Sequence, residues 1–500
     1  MKRLLIVVLA FLLLLLAGCS GKTPAESGSG TDTEETNTGG TTVTDLPTEE
    51  ETEDPLAPDF NPEELDYGDR EIRILQCEYL KEEFLPTEGG TGDMLEQALF
   101  ARNAKVEEDL NIHFSFPTVQ SDMHSPEKLL SAVEMSVKAG DPDSMYHMVA
   151  QPSYYVTAIM IAGYYQNLGG IENSYINLDK QYWLPSYVNA SVINDKYYFV
   201  TGMACTSILN RMEVVYVNNN LANDYYPDTD IRQVVYDGDW TYARMLEMIA
   251  EAGDGASTGV YGMAMPINSH SIDGMLCAMK LDMLKINDSG IPTVNVNTQH
   301  NTDIIEKLRN LYYHNESVTT GDPIKAFSEK RSIFCMTLMM NTSSLYNAGI
   351  DYTLIPMPKY DETQTDYVVT AHDEYSILSI CMGVEDPRML TAVLEDLAYS
   401  SVDTTYQATY TKTYSQRYAG NPENAKMFDY LFAHMDFSMG YIYSHVLGDC
   451  KNTPRYLLYP TSVTGIPVNV NSGIASSFDA LEQAVETKLE DFIEFFFGQS

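Results

Sequence analysis

Apolar residues recur at every second position through "REIRILQCEY" (residues 70–79) and the pattern stops at a loop, so a strand is predicted there. In "TGDMLEQALFARNAKVEEDL" (91–110), Leu95, Leu99, Val106 and Leu110 fall near helical spacing, and "NIHFSF" returns to the strand period. The alternation continues with a helix over "PEKLLSAVEMSVKAG", a strand at "MYHMVA", a short helix from Tyr154 to Gly163 and a strand at "KYYFVTG". Strands that take turns with helices predict an α/β sheet joined by helical crossovers.

A second set of elements follows with the same rhythm. "MEVVYVNNNL" reads as a strand leading into a turn, and "DWTYARMLEMIAEAG" as a helix capped by Asp239 and stopped by Gly253. "NTDIIEKLRNLYYHN" is a helix, "RSIFCMTLMM" a buried strand, "DYTLIPMPKY" a strand broken by two prolines, and "EYSILSIC" a strand. "DPRMLTAVLEDLAYSS" is a helix with Pro387 in its first turn, and from Tyr406 onward the chain is tyrosine-rich and mostly helical. No short repeat appears, which excludes a solenoid.

The first residues follow neither period. Lys2 and Arg3 precede thirteen apolar positions, Leu4 to Leu16, which is the length of a secretory leader and short of the roughly 20 residues that a spanning helix needs. The run closes on Leu16-Ala17-Gly18-Cys19, which resembles the lipobox of bacterial lipoproteins. That resemblance implies that residues 1–18 are removed and that Cys19 carries diacylglycerol, usually with a further chain on its amine. Two or three acyl chains anchor a protein without spanning the bilayer, so the expected location is the outer face of the bacterial cytoplasmic membrane. Residues 19–59 are Gly, Ser, Thr, Pro and acid, a composition that predicts a disordered, self-repelling spacer.

What remains is long enough for two domains, and 44% apolar with 11% aromatic residues is a globular composition. The formal charge is −41, and loss of Lys2 and Arg3 with the leader takes it to −43, which argues against nucleic acid or anionic lipid as a partner. Beyond Cys19, six cysteines show no C-x-x-C and no zinc spacing, and most sit in apolar runs such as "SIFCMTL". Buried free thiols are favoured over disulfides, and no cofactor or metal is expected.

Several phrases together resemble one family. "ARNAKVEEDLNI" is similar to the element after the first strand of bacterial family 1 extracellular solute-binding proteins. "YYFVTGMACTSILNRMEVVYVNNNL", "DWTYARMLEMIAEA", "LYYHNESV", "YTLIPMPKYDETQTDY" and "TAVLEDLAY" follow in that family's order, in its long clostridial-type version. The resemblance covers roughly residues 68 to 460. It implies an α/β, two-lobe, periplasmic-binding-protein-like fold (type II-like) with hinge crossings and a helical C-terminal region. Lobe 1 would hold residues 65–208 and 373–404, lobe 2 residues 209–372 and 405–500, with crossings near Asn210, His372 and Thr404. It also implies a monomeric receptor, without enzymatic activity, that delivers a solute, most often a sugar, to the permease subunits of an ABC importer.

Sugars are bound by aromatic rings against their apolar faces and by planar polar side chains on their hydroxyls. Trp183 in "DKQYWLPSY" reads equally as such a platform or as a core anchor of its loop, whereas Trp240 reads as packing. Tyr154 and Tyr155 follow a strand end, and Glu78 follows the first strand, where it is either a hydroxyl acceptor or simply solvated. Asn210 and Arg211 at the first crossing, Asn341 after "CMTLMM" and Asp373 in "TAHDEYS" are ligand contacts or hinge hydrogen-bonders. A secreted glycan hydrolase would share this composition, but sequence cannot place the two carboxylates that it needs. A surface lipoprotein without a small ligand is the other rival. The His-acid pairs in "TAHDEYS" and "NSHSIDG" read as surface coincidences.

Overall fold

The segment "REIRILQC" forms strand β1 (Arg70–Cys77), and Ile72, Ile74, Leu75 and Cys77 are all buried. Near-continuous burial of this kind belongs to a strand covered on both faces. β1 pairs in parallel with β2 (Ile112–Ser115), β3 (Thr118–Val119) and β4 (Met148–Pro152). The helix Met94–Leu110 connects β1 to β2. Asp93 caps it by accepting from the Leu95 and Glu96 amides, and Asn111 ends it in the left-handed region at φ 48°.

A second sheet runs β11-β5-β10-β6-β9, with β5 (Glu213–Asn218), β6 (Tyr261–Met265), β9 (Val318–Thr320), β10 (Ser332–Leu338) and β11 (Tyr352–Ile355). β10, β6 and β9 are parallel, while β5 runs antiparallel to β10 and β11. β7 (Leu284–Ile286) and β8 (Pro292–Val294) form a separate hairpin. The chain then returns to the first sheet as β12 (Ser376–Ile380), antiparallel to β4. Each sheet with its helices is a lobe.

The computed structural model describes residues 54–86, 90–121, 125–266, 272–458 and 473–498. The leader, Cys19 and most of the expected spacer lie outside the described residues. The last stretch of that spacer is not loose: Lys180 donates to the Ala57 carbonyl and pairs with Asp59 at 3.1 Å, and Phe60 packs on Tyr175 at 4.5 Å. A largely covered lysine and an aromatic pair hold this stretch against what the polar composition suggested. Among the described residues no helix is long and apolar enough to cross a membrane.

Two local expectations change. "KYYFVTG" forms no strand, only single bridges, Val200 with Leu378 and Ile193 with Lys196; its alternation reflects Tyr197 and Phe199 packing inward beside β12. The helix Tyr242–Ala250 is capped by Thr241, which accepts from the Arg244 amide, because Asp239 is taken up in the turn after the preceding helix, its amide bonded to the Val234 carbonyl. The helix Pro387–Ser401 starts at its proline with Asp386 as cap. It runs on as a wider-wound helix, Val402–Tyr418, which packs on Met94–Leu110 of the first lobe and also on Pro422–Ala433 and Thr342–Asn347. The crossing expected near Thr404 lies in this helix. All six described cysteines are free thiols, five of them buried.

Candidate functional site

Two short segments lie side by side where the chain passes between the lobes. The Glu213 amide donates to the Thr370 carbonyl at 3.0 Å and the His372 amide to the Arg211 carbonyl at 2.9 Å, with Met212 and Ala371 as an antiparallel pair. Around this connection stand the C-terminal ends of β1 and β4 in the first lobe and of β10 and β6 in the second. Strand ends of this kind are where open α/β sheets place ligands.

One group of side chains is open to solvent. Tyr79, one residue past the Glu78 that follows β1, donates its hydroxyl to Glu374 at 2.7 Å and accepts from Arg211. Arg211 also reaches Glu374 at 3.3 Å and the Met340 sulfur at 3.1 Å, and its guanidinium lies 5.6 Å from the Tyr79 ring centre. Burial, reinforced by the bond to Glu374, pushes the Tyr79 phenol up, so it remains a proton donor at any physiological pH. Tyr79 is 39% and Met340 45% exposed, so an aromatic ring from one lobe and a thioether from the other are joined through one arginine and remain accessible. A partly exposed ring beside a fixed guanidinium and carboxylate can take the apolar face of a ligand while offering donors and acceptors to its hydroxyls.

A second group is sealed. Lys451 is 5% exposed, forms an ion pair with Asp373, and places its ammonium 4.8 Å from the Tyr154 ring and 4.7 Å from the Tyr441 ring. Tyr441 donates to Asp273, which Arg455 also grips through both carboxylate oxygens, one at 2.8 Å. Burial, with Arg455 nearby, pulls the Lys451 ammonium well below the usual lysine range while Asp273 opposes them. The direct Asp373 contact favours the charged form. Beside it lies a small pocket of about 20 Å³ lined by Asp273, Cys277, Met283, Ser438, Tyr441 and Lys451, room for roughly one water.

No protein-family model matches this sequence, and no curated protein matches it. Solved structures do. The sugar-binding protein MalE from the phytopathogen Xanthomonas citri superposes with a TM-score of 0.58 at 12% identity, over 86% of this chain and 100% of its own. The ABC substrate-binding protein Lmo0181 from Listeria monocytogenes, in complex with cycloalternan, gives 0.51 at 12% identity, over 84% and 99%. Maltose-bound MalE3 of T. maritima gives 0.50 at 12% identity, over 83% and 99%. The fold is the two-lobe solute-binding fold.

In this fold the residues singled out from sequence take distinct places. Arg211 and Asp373 lie at the connection between the lobes, in the open and the sealed group respectively. Glu78 pairs with Lys81 and accepts from Gln120 at 3.1 Å, on the same strand ends as Tyr79. Asn210 accepts from the Tyr414 hydroxyl of the long helix. Asn341 turns back to Thr337 at 2.9 Å. Tyr154 lies under Lys451, and Tyr155 is buried edge-on against it at 5.2 Å. Trp183 is 1% exposed, its indole N–H bonded to Glu395 at 2.9 Å, so both ring faces are covered by core. Trp240 is likewise packed, donating to the Pro356 carbonyl. The acids of the two His-acid runs are not on the surface: Asp373 and Asp273 are both buried among cations, a correction that no local pattern signals.

Sequence reasoning passed over Tyr79, Met340, Glu374, Tyr441, Lys451 and Arg455. Tyr79 and Glu374 each adjoin a residue chosen by the strand-end argument, which could have found them. Lys451 and Arg455 meet acids 78 and 182 positions away, and nothing near them in sequence marks it.

Proposed function

We propose that this chain is the solute-binding protein of an ABC importer, that it closes on a carbohydrate between its two lobes, and that Cys19 tethers it by lipid to the outer face of the cytoplasmic membrane. The observation that carries this reading is the Tyr79–Arg211–Glu374–Met340 group: a partly exposed ring and planar polar groups from both lobes, meeting at the connection on which the lobes would move. The names of the three similar structures support a sugar as the class of ligand, since one holds maltose and one cycloalternan. The permease subunits are the downstream partner, and binding without turnover is the activity. Closure follows from differential affinity: ligand favours the closed arrangement and shifts the population toward it.

The test is a thermal-shift screen of the chain lacking residues 1–18 against maltose, cycloalternan, other oligosaccharides, amino acids and short peptides. Ligand at a hundred times its dissociation constant adds about 2.7 kcal/mol, a shift that is easily read. A saturable rise with one glycan class and no product formed is expected. A rise with peptides alone, or release of a cleaved glycan, would replace the reading.

A further inference from the structure

The Lys451 group helps to build neither sheet, yet it fastens together three parts of the chain that a hinge would move. Tyr154 opens the helix after β4 in the first lobe, Asp373 lies in the connection, and Asp273 belongs to the helix Ile272–Ala278 after β6 in the second lobe. Tyr441, Lys451 and Arg455 all come from one segment, residues 438–458, which touches both lobes. On the first lobe, Tyr443 donates to the Ser191 carbonyl at 2.5 Å and packs 5.9 Å from Phe199. On the second, Arg455 holds Asp273, and the helix Asn452–Leu458 packs on Gln299–His314.

The last helix, Ile474–Phe497, repeats the span. Near its start Asp479 accepts from Asn297 of the second lobe at 2.5 Å, and the helix packs on β8. At its end the Phe496 carbonyl accepts from Asn194 of the first lobe at 2.9 Å, and Phe495 lies 5.3 Å from the Tyr198 ring. Of residues 405–500, expected in the second lobe, the segments 438–458 and 474–497 thus reach both lobes.

We propose that these C-terminal segments form a strap that limits how far the lobes part, with Lys451 as its releasable bolt. This rests on the reading of the protein as a binder that closes by hinge motion, and it deepens that reading by naming what sets closure. The chemistry of the bolt suits release. Apolar contact that is pulled apart exposes surface that water solvates poorly. A separated ammonium and carboxylate each regain hydration, which offsets the lost attraction. The Lys451–Asp373 contact therefore holds a defined closed geometry while leaving the open one accessible. Loosening it moves the unliganded population toward open, and a ligand must then spend part of its binding energy on closure.

The test uses the chain lacking residues 1–18, without ligand, comparing wild type with the double variant Lys451→Met/Asp373→Asn, which removes both charges together and strands neither. Circular dichroism establishes that the variant is folded. Small-angle X-ray scattering is expected to show a larger radius of gyration than wild type, with faster amide exchange in 438–458 and 153–161. A folded variant with unchanged scattering and exchange overturns the strap. Should the double variant not fold, Tyr441→Phe and Tyr154→Leu, which keep every charge, take its place with the same expected direction and the same overturning result. With a ligand from the screen in hand, the double variant should bind several-fold more weakly, and equal affinity overturns the role of the bolt. Because scattering needs no ligand, a failed sugar screen and a failed strap are distinguishable.

Discussion

Asp373 and Glu374 are neighbours in the connection between the lobes, carry the same charge and differ by one methylene, yet they belong to different chemistry. The backbone turns tightly at Asp373, where the Glu374 amide donates to the His372 carbonyl at 2.8 Å, and the two side chains leave it toward different partners. Glu374 meets Tyr79 and Arg211, beside a ring and a thioether that solvent still reaches, whereas Asp373 meets a lysine closed in by two rings. The difference teaches that position along the chain brings an acid to the connection, and the side to which it turns decides whether it faces a ligand or holds the protein together. Damage on the sealed side should be read as stability, and damage on the open side as affinity.

The largest expected effect tests that division directly. Arg455→Ala leaves Asp273 buried with the Tyr441 hydroxyl and the more distant Lys451 charge in place of a two-pronged cation, and breaking such a pair from one side costs about 3–5 kcal/mol. Met340→Ala on the open side removes a half-exposed side chain and should change stability by no more than about 0.5 kcal/mol. Urea unfolding of both variants decides it, and equal costs would erase the distinction between the two sides.

A buried acid that pairs with no cation among the described residues sharpens the comparison. Glu395 accepts from Tyr182, Trp183 and the Asn177 amide, all neutral donors, and burial pushes its carboxyl up to about 7 against them. Its neighbour Asp396 is also raised to about 7, by burial and then by Asp109. A carboxyl raised in the folded state holds its proton more tightly there than in the unfolded chain, so its contribution to stability is present in full below about pH 4.5 and is lost as pH rises to about 7. At about 1.4 kcal/mol per pKa unit the Glu395 contribution is about 3 kcal/mol. Glu395→Gln cannot titrate. The stability of wild type relative to this variant should therefore drop by that amount from pH 4.5 to 8, and parallel pH profiles would show that Glu395 does not titrate in this range.

The sequence pattern reaches some of this architecture and misses the rest for definable reasons. The helix Pro387–Ser401 and strand β1 are legible because cap, proline and period agree locally. β6, Tyr-Gly-Met-Ala-Met, has no β-branched residue and is a strand because β10 and β9 lie on either side of it. At the site, strand-end reasoning arrives within one residue of Tyr79 and Glu374 but cannot tell which of two neighbours turns outward. Trp183 shows the limit of residue type: a tryptophan in a loop suits a platform or a core, and the buried Glu395 that fixes it lies 212 positions away.

The smallest effect in free energy is the most informative about function. Tyr79→Ala removes the exposed ring and its hydroxyl together, leaving Arg211 and Glu374 paired with each other at 3.3 Å. Because that ion pair survives and the ring is already 39% exposed, the melting temperature should barely move. Loss of a stacking face and of one donor should weaken ligand binding about tenfold, equivalent to about 1.4 kcal/mol, as measured by titration calorimetry with whichever glycan the screen identifies. Tyr79→Phe, which keeps the face and drops the donor, separates the two contributions: near-wild-type affinity assigns the loss to stacking, and a loss equal to that of alanine assigns it to the hydroxyl held between Glu374 and Arg211. Undiminished affinity in both variants would move the ligand away from the open group altogether, and the comparison between the two sides would then hold for stability alone.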